Sequence, residues 1–367
     1  MTEQELSAYI RAIRPADEAA MEAARRRQAQ LAKPPGSLGQ LEEISIRLAG
    51  VTGQVCPAMG KCRVAVFAAD NGVVAEGVSC TPPAVTLQQA VNMTFRKTGM
   101  SAMAAAFGDD VSVVDVGIDG DVPPVGVLDR KVRRGTGNIV REDAMTRQQV
   151  LDAMAAGMEQ AARARADGVT ALGIGEMGIG NTTTSAAVLA ALTGADIEAV
   201  TGRGGGLTDE GFLRKKEVLR QALALHRPDG NDVIGVLAGV GGLDLAAMTG
   251  AFLGCAHERV PAAVDGFISI AAALCAVRLC PAVRDVLFLS HDSYEVGYRI
   301  AAEALGLQPC LRLGMRLGEG SGCPLLFRVL EGACGVMRGM ATFGEASIED
   351  SYLDEIRAVD AFTVEAT

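Results

Sequence analysis

Short apolar runs rich in Val, Ile and Leu recur along the chain at Arg63 to Ala69, Val111 to Val116, Val169 to Ile174, Val260 to Val264, Val286 to Leu289 and Cys310 to Leu313. Each has strand length, and within each the apolar positions are continuous rather than alternating, as in strands covered on both faces. Most are followed by glycine and then by helical spacing, so the pattern predicts an α/β fold of parallel strands joined by crossover helices. Residues 3 to 32 carry apolar positions at helical spacing, interrupted near Pro15 and ended by the breaker Lys33-Pro34-Pro35-Gly36-Ser37. Two further helices are predicted, from Ser321 to about Met340 and over 346 to 360. Helices from both ends are expected to form a small lobe, residues 1–60 and 335–367, on a large α/β domain, residues 61–334.

Composition narrows the function. Of 367 residues, 49% are hydrophobic and 21% charged, ample for a packed core. The aromatic fraction is 4% with no Trp and the net charge is −10, which argues against stacking on bases or binding a phosphate backbone, so no nucleic-acid partner is expected. Nine cysteines without a CxxC pair point to a reducing, cytoplasmic setting. His226, His257 and His291 are the only histidines, and no metal site is expected. The charged N-terminus lacks a signal-like apolar core. The most apolar long stretch, 261–280, contains Asp265 and Arg278, so no membrane span is expected.

Candidate chemistry gathers after the apolar runs, where a parallel sheet places its ligands. Residues 173–194 read as strand, glycine-rich turn and the opening of an alanine-rich helix at Asn181-Thr182-Thr183-Thr184, an anion site in which Asn or Thr caps the helix. Gly173, Gly175 and Gly178 also satisfy GxGxxG, which keeps a nicotinamide-dependent dehydrogenase open as a rival; a non-catalytic nucleotide-binding module is another. A P-loop is excluded because Asn181 stands where the phosphate-binding Lys belongs. A second cluster, Thr201 to Leu207, offers Arg203 and, on the following helix, Lys215 as anion partners. In Leu313 to Gly322, Glu319 lies between two glycines and is expected to expose its carboxylate at a strand end, suited to a base. Asp70-Asn71-Gly72, Asp265-Gly266 and Ser290-His291-Asp292-Ser293 add polar groups at other strand ends. No GxSxG elbow accompanies His291, so a hydrolase relay is not expected.

Seven collinear stretches together resemble the nicotinate-nucleotide dimethylbenzimidazole phosphoribosyltransferase family: Lys33 to Glu42, Phe67 to Gln88, Gly173 to Thr184, Thr201 to Leu207, Val264 to Ala273, Ser290 to Gly297 and Leu313 to Gly322. The resemblance implies a Rossmann-like sheet with helices on both faces, a small helical lobe from both termini, and a homodimer. It implies that Glu319 accepts the proton of the incoming base, with Glu176 close by. Gly178, Gly180, Asn181, Thr182, Gly202, Arg203, Gly204, Lys215 and Ser293 would hold the nucleotide, and Asp265 and Gly266 the nicotinate end. Ser79, Gln88, Met315 and Leu317 would line the acceptor base. The chain departs from the family at Asn71, Thr81 and Tyr298, where His, an aromatic residue and a nearby His are usual.

The expected substrates are therefore nicotinate mononucleotide and 5,6-dimethylbenzimidazole or a related aromatic base, giving an α-ribotide and nicotinate by inversion, without a cofactor. Two neighbouring carboxylates repel, and the pair Glu319 and Glu176 is expected to raise a pKa in this way.

Overall fold

The computed structural model describes residues 1–354. It is built on six strands: β1 (Cys62–Ala69), β2 (Asp110–Gly117), β3 (Val127–Asp129), β4 (Ala171–Met177), β5 (Ala262–Val264) and β6 (Leu287–Leu289). They form one sheet in the order β3-β2-β1-β4-β5-β6, every pairing parallel. The helices are α1 (Glu3–Ala12), α2 (Glu18–Gln30), α3 (Gln40–Thr52), α4 (Val85–Thr94), α5 (Gly99–Phe107), α6 (Arg147–Ala166), α7 (Asn181–Thr193), α8 (Ile197–Val200), α9 (Asp209–His226), α10 (Val233–Val240), α11 (Leu243–Glu258), α12 (Phe267–Leu279), α13 (Gly297–Leu305) and α14 (Cys323–Gly339). Among the described residues no helix is long and apolar enough to cross a membrane.

The continuous apolar runs become fully buried strands: Val64 to Ala69 and Ala171 to Ile174 have almost no exposed surface. Burial of both faces explains why they do not alternate. Five runs correspond to β1, β2, β4, β5 and β6. The sixth, Cys310 to Leu313, makes only one parallel bridge, Leu311 with His291, before Arg312 and Gly314 turn outward. The sheet's remaining strand is β3, three half-exposed residues on the edge beside β2, too short and too polar in setting to carry a pattern.

The N-terminal stretch splits as expected around Pro15, with the Asp17 side chain accepting from Ala20 N–H to start α2. Ala20, Ala24, Leu31, Ile46, Ala49 and Met337 form a separate apolar cluster between α2, α3 and the end of α14, and Leu31 bridges Thr342. Helix α1 instead joins the main core through Leu6 and Ile13, and Tyr9 stacks on His257 of α11 at 4.2 Å. The helix expected over 346 to 360 is represented only by a 3-10 turn at Ser351–Leu353; its remainder lies outside the described residues.

Helices α6 and α11 lie backbone to backbone behind the sheet. A Cβ at Gly157 would collide with the Ala247 carbonyl oxygen and come within 2.6 Å of Ala251 N. Gly157→Ala is expected to destabilise the fold by about 1–3 kcal/mol, as overpacking does; thermal unfolding checks this, and an unchanged melting temperature refutes the close contact.

Candidate active site

The strand order reverses between β1 and β4, so chain segments leaving their carboxyl ends diverge and open a crevice. A cavity of about 260 Å³ occupies it. It is walled by the turn after β4, the Arg203–Gly205 loop, residues 265–269, the segment after β6 and residues 316–319, with 78–81 and α4 opposite.

Glu319 is at the floor. Gly318, Glu319 and Gly320 all have left-handed backbone, with φ of 81°, 62° and 82°, a conformation that costs a non-glycine residue about 1 kcal/mol or more and clusters at functional sites. The side chain is buried at 5% exposure, not exposed as the flanking glycines suggested. Its Oε2 accepts from Met100 N–H at 3.1 Å, at the N-terminus of α5, with Thr98 adding a side-chain hydrogen bond. Burial raises its pKa above the ordinary carboxylate value against these bonds, and nearby Asp265 raises it further.

Glu176 ends β4 beside it. Glu319 N–H donates to Glu176 Oε1 at 3.3 Å, and the Asn181 amide donates to both Glu176 Oε2 and, at 2.9 Å, Asp244 Oδ2. Burial first, and Asp244 second, push the Glu176 pKa up to about 8, and burial pushes Asp244 to about 6. This corrects the expected mutual repulsion of Glu176 and Glu319: each is raised by its own desolvation and by an aspartate, while the two are joined by a backbone hydrogen bond. Asn181 is likewise not a cap. Gly180 is the N-cap of α7, without a side-chain cap bond, and Asn181 spends its amide between two carboxyl groups.

Asp265, after β5, lines the cavity, but its oxygens accept from Gly320 N–H at 3.1 Å and Gly322 N–H at 2.7 Å. It therefore clamps the Glu319 loop. Burial raises its pKa and neighbouring His291 opposes the rise. His291, read in the sequence as a polar group at a strand end, is buried in the cavity wall with Nδ1 3.0 Å from Ser290 Oγ and 3.9 Å from Asp265 Oδ1. Gly266 and Ser293 stand in the same wall.

Gly178, Gly180, Asn181 and Thr182 line the cavity at the start of α7. Gly173, read within the strand run, and Gly175, read as part of the glycine-rich turn, are both inside β4, so the GxGxxG match has no dinucleotide-binding loop behind it. Lys215 of α9 is fully buried behind the wall, its Nζ donating to Thr182 Oγ1 at 2.9 Å and Gly202 carbonyl at 3.1 Å. Burial lowers its pKa to about 8, and Glu295, which sequence reasoning missed, counteracts this. Gly204 lines the cavity. Arg203 is at the rim, its guanidinium engaged by the Leu207 carbonyl, Asp209 and the Phe212 ring.

Ser79 and Leu317 also line the cavity. Gln88 is exposed outside it; Val85 and Gln89, one helical turn apart on α4, take the wall positions. Met315 also lies outside the wall, where Arg316 takes part. Of the three departures from the family pattern, Thr81 lines the cavity, Asn71 is buried with its amide 3.4 Å from the Ile179 carbonyl, and Tyr298 is core.

Residues 13–348 match a phosphoribosyltransferase family model. A nicotinate-nucleotide–dimethylbenzimidazole phosphoribosyltransferase of Clostridium perfringens (strain 13) is 46% identical over 341 residues, covering 93% of this chain and 94% of that protein. One from Geobacter metallireducens is 46% identical over 340 residues, covering 92% and 96%. The crystal structure of such an enzyme from Thermus thermophilus is similar with a TM-score of 0.87 at 44% identity, covering 91% of this chain and 100% of that one. The chain belongs to the nicotinate-nucleotide–dimethylbenzimidazole phosphoribosyltransferase family.

Proposed function

We propose that the chain transfers the phosphoribosyl group of nicotinate mononucleotide to 5,6-dimethylbenzimidazole or a related aromatic base, with Glu319 as the general base. The observation that carries this reading is the Glu319 carboxylate, fixed in the cavity wall by Met100 N–H and made more basic by burial. The donor's 5′-phosphate is assigned to Gly178, Gly180, Asn181 and Thr182 at the start of α7, with Gly202, Gly204 and Lys215 beneath, Arg203 at the rim and Ser293 across the cavity. Asp265 holds the loop at the nicotinate end, where Gly266 leaves room for the ring. Ser79, Leu317 and Gln89 face the acceptor.

The ring nitrogen lone pair of the base attacks C1′ from the face opposite nicotinate. The C1′–N bond to the pyridinium breaks, its electron pair neutralises the ring, and nicotinate departs without needing a proton. The N–H proton of the attached azole passes to Glu319, leaving the azole ring of the α-ribotide neutral. Alignment of the two reactants can supply about 7–11 kcal/mol, and a positioned base about 10²- to 10⁴-fold in rate. Burial and Asp244 push the Glu176 pKa up to about 8, so Glu176 holds its proton to higher pH than an ordinary carboxyl group, and Glu319 is the carboxyl group assigned to take the proton. A homodimer in the cytoplasm completes the proposal. Nine unpaired cysteines support the reducing compartment, and light scattering reports the oligomer.

Glu319→Gln keeps shape and removes basicity. Its kcat is expected to fall about 10²- to 10⁴-fold with donor KM little changed; nicotinate release measured by chromatography within threefold of the parent overturns the assignment. Because the ionised form is the base, parental activity rises with pH through the elevated Glu319 pKa, and that limb disappears in the variant.

Glu176 gives a stability prediction of definite sign. Its folded carboxyl keeps a proton that the unfolded chain releases near 4.5, so its contribution is full at acid pH and is lost as pH rises toward about 8. Glu176→Gln removes this share. Melting temperatures across that window should fall by several degrees less in the variant than in the parent, and parallel profiles would show that Glu176 is already ionised.

A further inference from the structure

Glu295 has no assigned role, yet its carboxylate occupies the cradle proposed for the donor's phosphate. It lies so close over the Gly202 Cα that a Cβ there would collide with Oε2. It accepts from Gly204 N–H and is the charged group acting on buried Lys215. Oε2 is itself buried without a hydrogen-bond partner. A carboxylate resting on a backbone N–H beside a lysine has the same kind of electrostatic partners as a phosphate oxygen. Gly204 is held in the left-handed region at φ 55°, where a Cβ would approach Thr182 Oγ1 at 3.0 Å and Lys215 Nζ at 3.7 Å, so the groups assigned to phosphate converge at this spot.

Resting on the donor assignment above, we propose that Glu295 is an affinity-determining residue for the donor: the phosphate enters as the Glu295 carboxylate turns out of the cradle. The two anions compete for one set of donors, and their simultaneous presence puts like charges together where water is scarce, a juxtaposition that is strongly unfavourable. The local structure permits the exchange. Glu295 stands in the short connection between β6 and α13, flanked by Tyr294 and Val296, which are 72% and 53% exposed. Its side chain can reach solvent without moving a core residue. The same carboxylate gives Lys215 a counter-charge whenever the phosphate is elsewhere, since a buried cation without one is costly. Donor binding is thus an exchange of counter-ions for Lys215.

The test compares the full chain with Glu295→Gln and Glu295→Ser at pH 6.5, where Lys215 is protonated, by titration calorimetry. The probes are inorganic phosphate, sulfate, nicotinate mononucleotide and nicotinate riboside. Both variants should bind phosphate, sulfate and mononucleotide about tenfold more tightly or better, and the riboside, lacking phosphate, unchanged. Lys215→Met added to either variant should abolish the gain. Unchanged or weaker anion binding overturns the proposal, and weaker riboside binding assigns Glu295 to the ribose instead. Failure of the activity reading is read separately, as a parent that binds mononucleotide but releases no nicotinate when given a base. Circular dichroism of each variant establishes that a null result is not unfolding.

Discussion

The site depends on how closely residues 318–320 can lie against strand β4. A side chain at Gly175 would come within 2.6 Å of the Gly320 backbone, and one at Gly318 would strike the Glu176 carboxylate. With both glycines present, the loop settles onto the sheet, Glu319 N–H reaches Glu176, and Asp265 takes the two backbone N–H groups that follow. The left-handed turn through Glu319 follows from the same contact. Its strain is held by hydrogen bonds from three separate elements, which fixes the carboxylate before any substrate arrives.

Such packing places Glu176, Asp244, Asp265 and Glu319 in one buried region, with His291 beside Asp265. The arrangement is costly for a stable fold: desolvation raises the pKa of every one of these carboxyl groups. Asn181 is the neutral spacer that allows two of them to sit side by side. In the proposed reaction the cost has a use. The donor enters with a cationic ring, and positive charge moves onto the ribose as the bond to nicotinate lengthens, so whichever of the cavity-lining groups Glu319, Asp265 and Glu176 is ionised favours the transition state in a medium of low dielectric. Polar groups that destabilise the free protein are therefore concentrated where charge develops.

Much of this was legible in the sequence. Burial on both faces leaves unbroken apolar runs, which is why β1, β2 and β4 to β6 could be read, and the polar groups following those runs converge because a parallel sheet collects its strand ends on one edge. Edge strand β3 was not legible, since three half-exposed residues have no periodicity. Local reading also misplaced Gly175 in a turn and missed why Gly173 is a glycine: the two let the 318–320 loop and α14 approach β4, and such a contact leaves no local mark. The Met100 N–H that holds Glu319 comes from 219 residues away. Asn181 resembled a helix cap because its neighbours do; its actual partners lie five and 63 residues away. Gln88 and Gln89 are adjacent glutamines, and only the rotation of α4, set by burial of Thr86 and Ala90, decides which faces the cavity.

The two halves of the cavity are made of different material, and that difference bears on how base choice can vary. In the proposed assignment the donor side is largely backbone, the α7 start and the 202–205 loop, with buried Lys215 joining the two through Thr182 and Gly202. A side chain at Gly178 or Gly180 would disturb the fold, because a Cβ there meets neighbouring atoms within 2.7 Å. The acceptor side is made of side chains from residues 78–81, from α4 and from Leu317, which is 57% exposed. Here a substitution alters width and polarity without shifting strand or loop. Thr81 lies among these side chains, while Glu319 is anchored through α5 and β4. In the proposed reaction, proton removal and base selection therefore fall to separate parts of the chain, and a change in the accepted ring need not move the group that takes its proton.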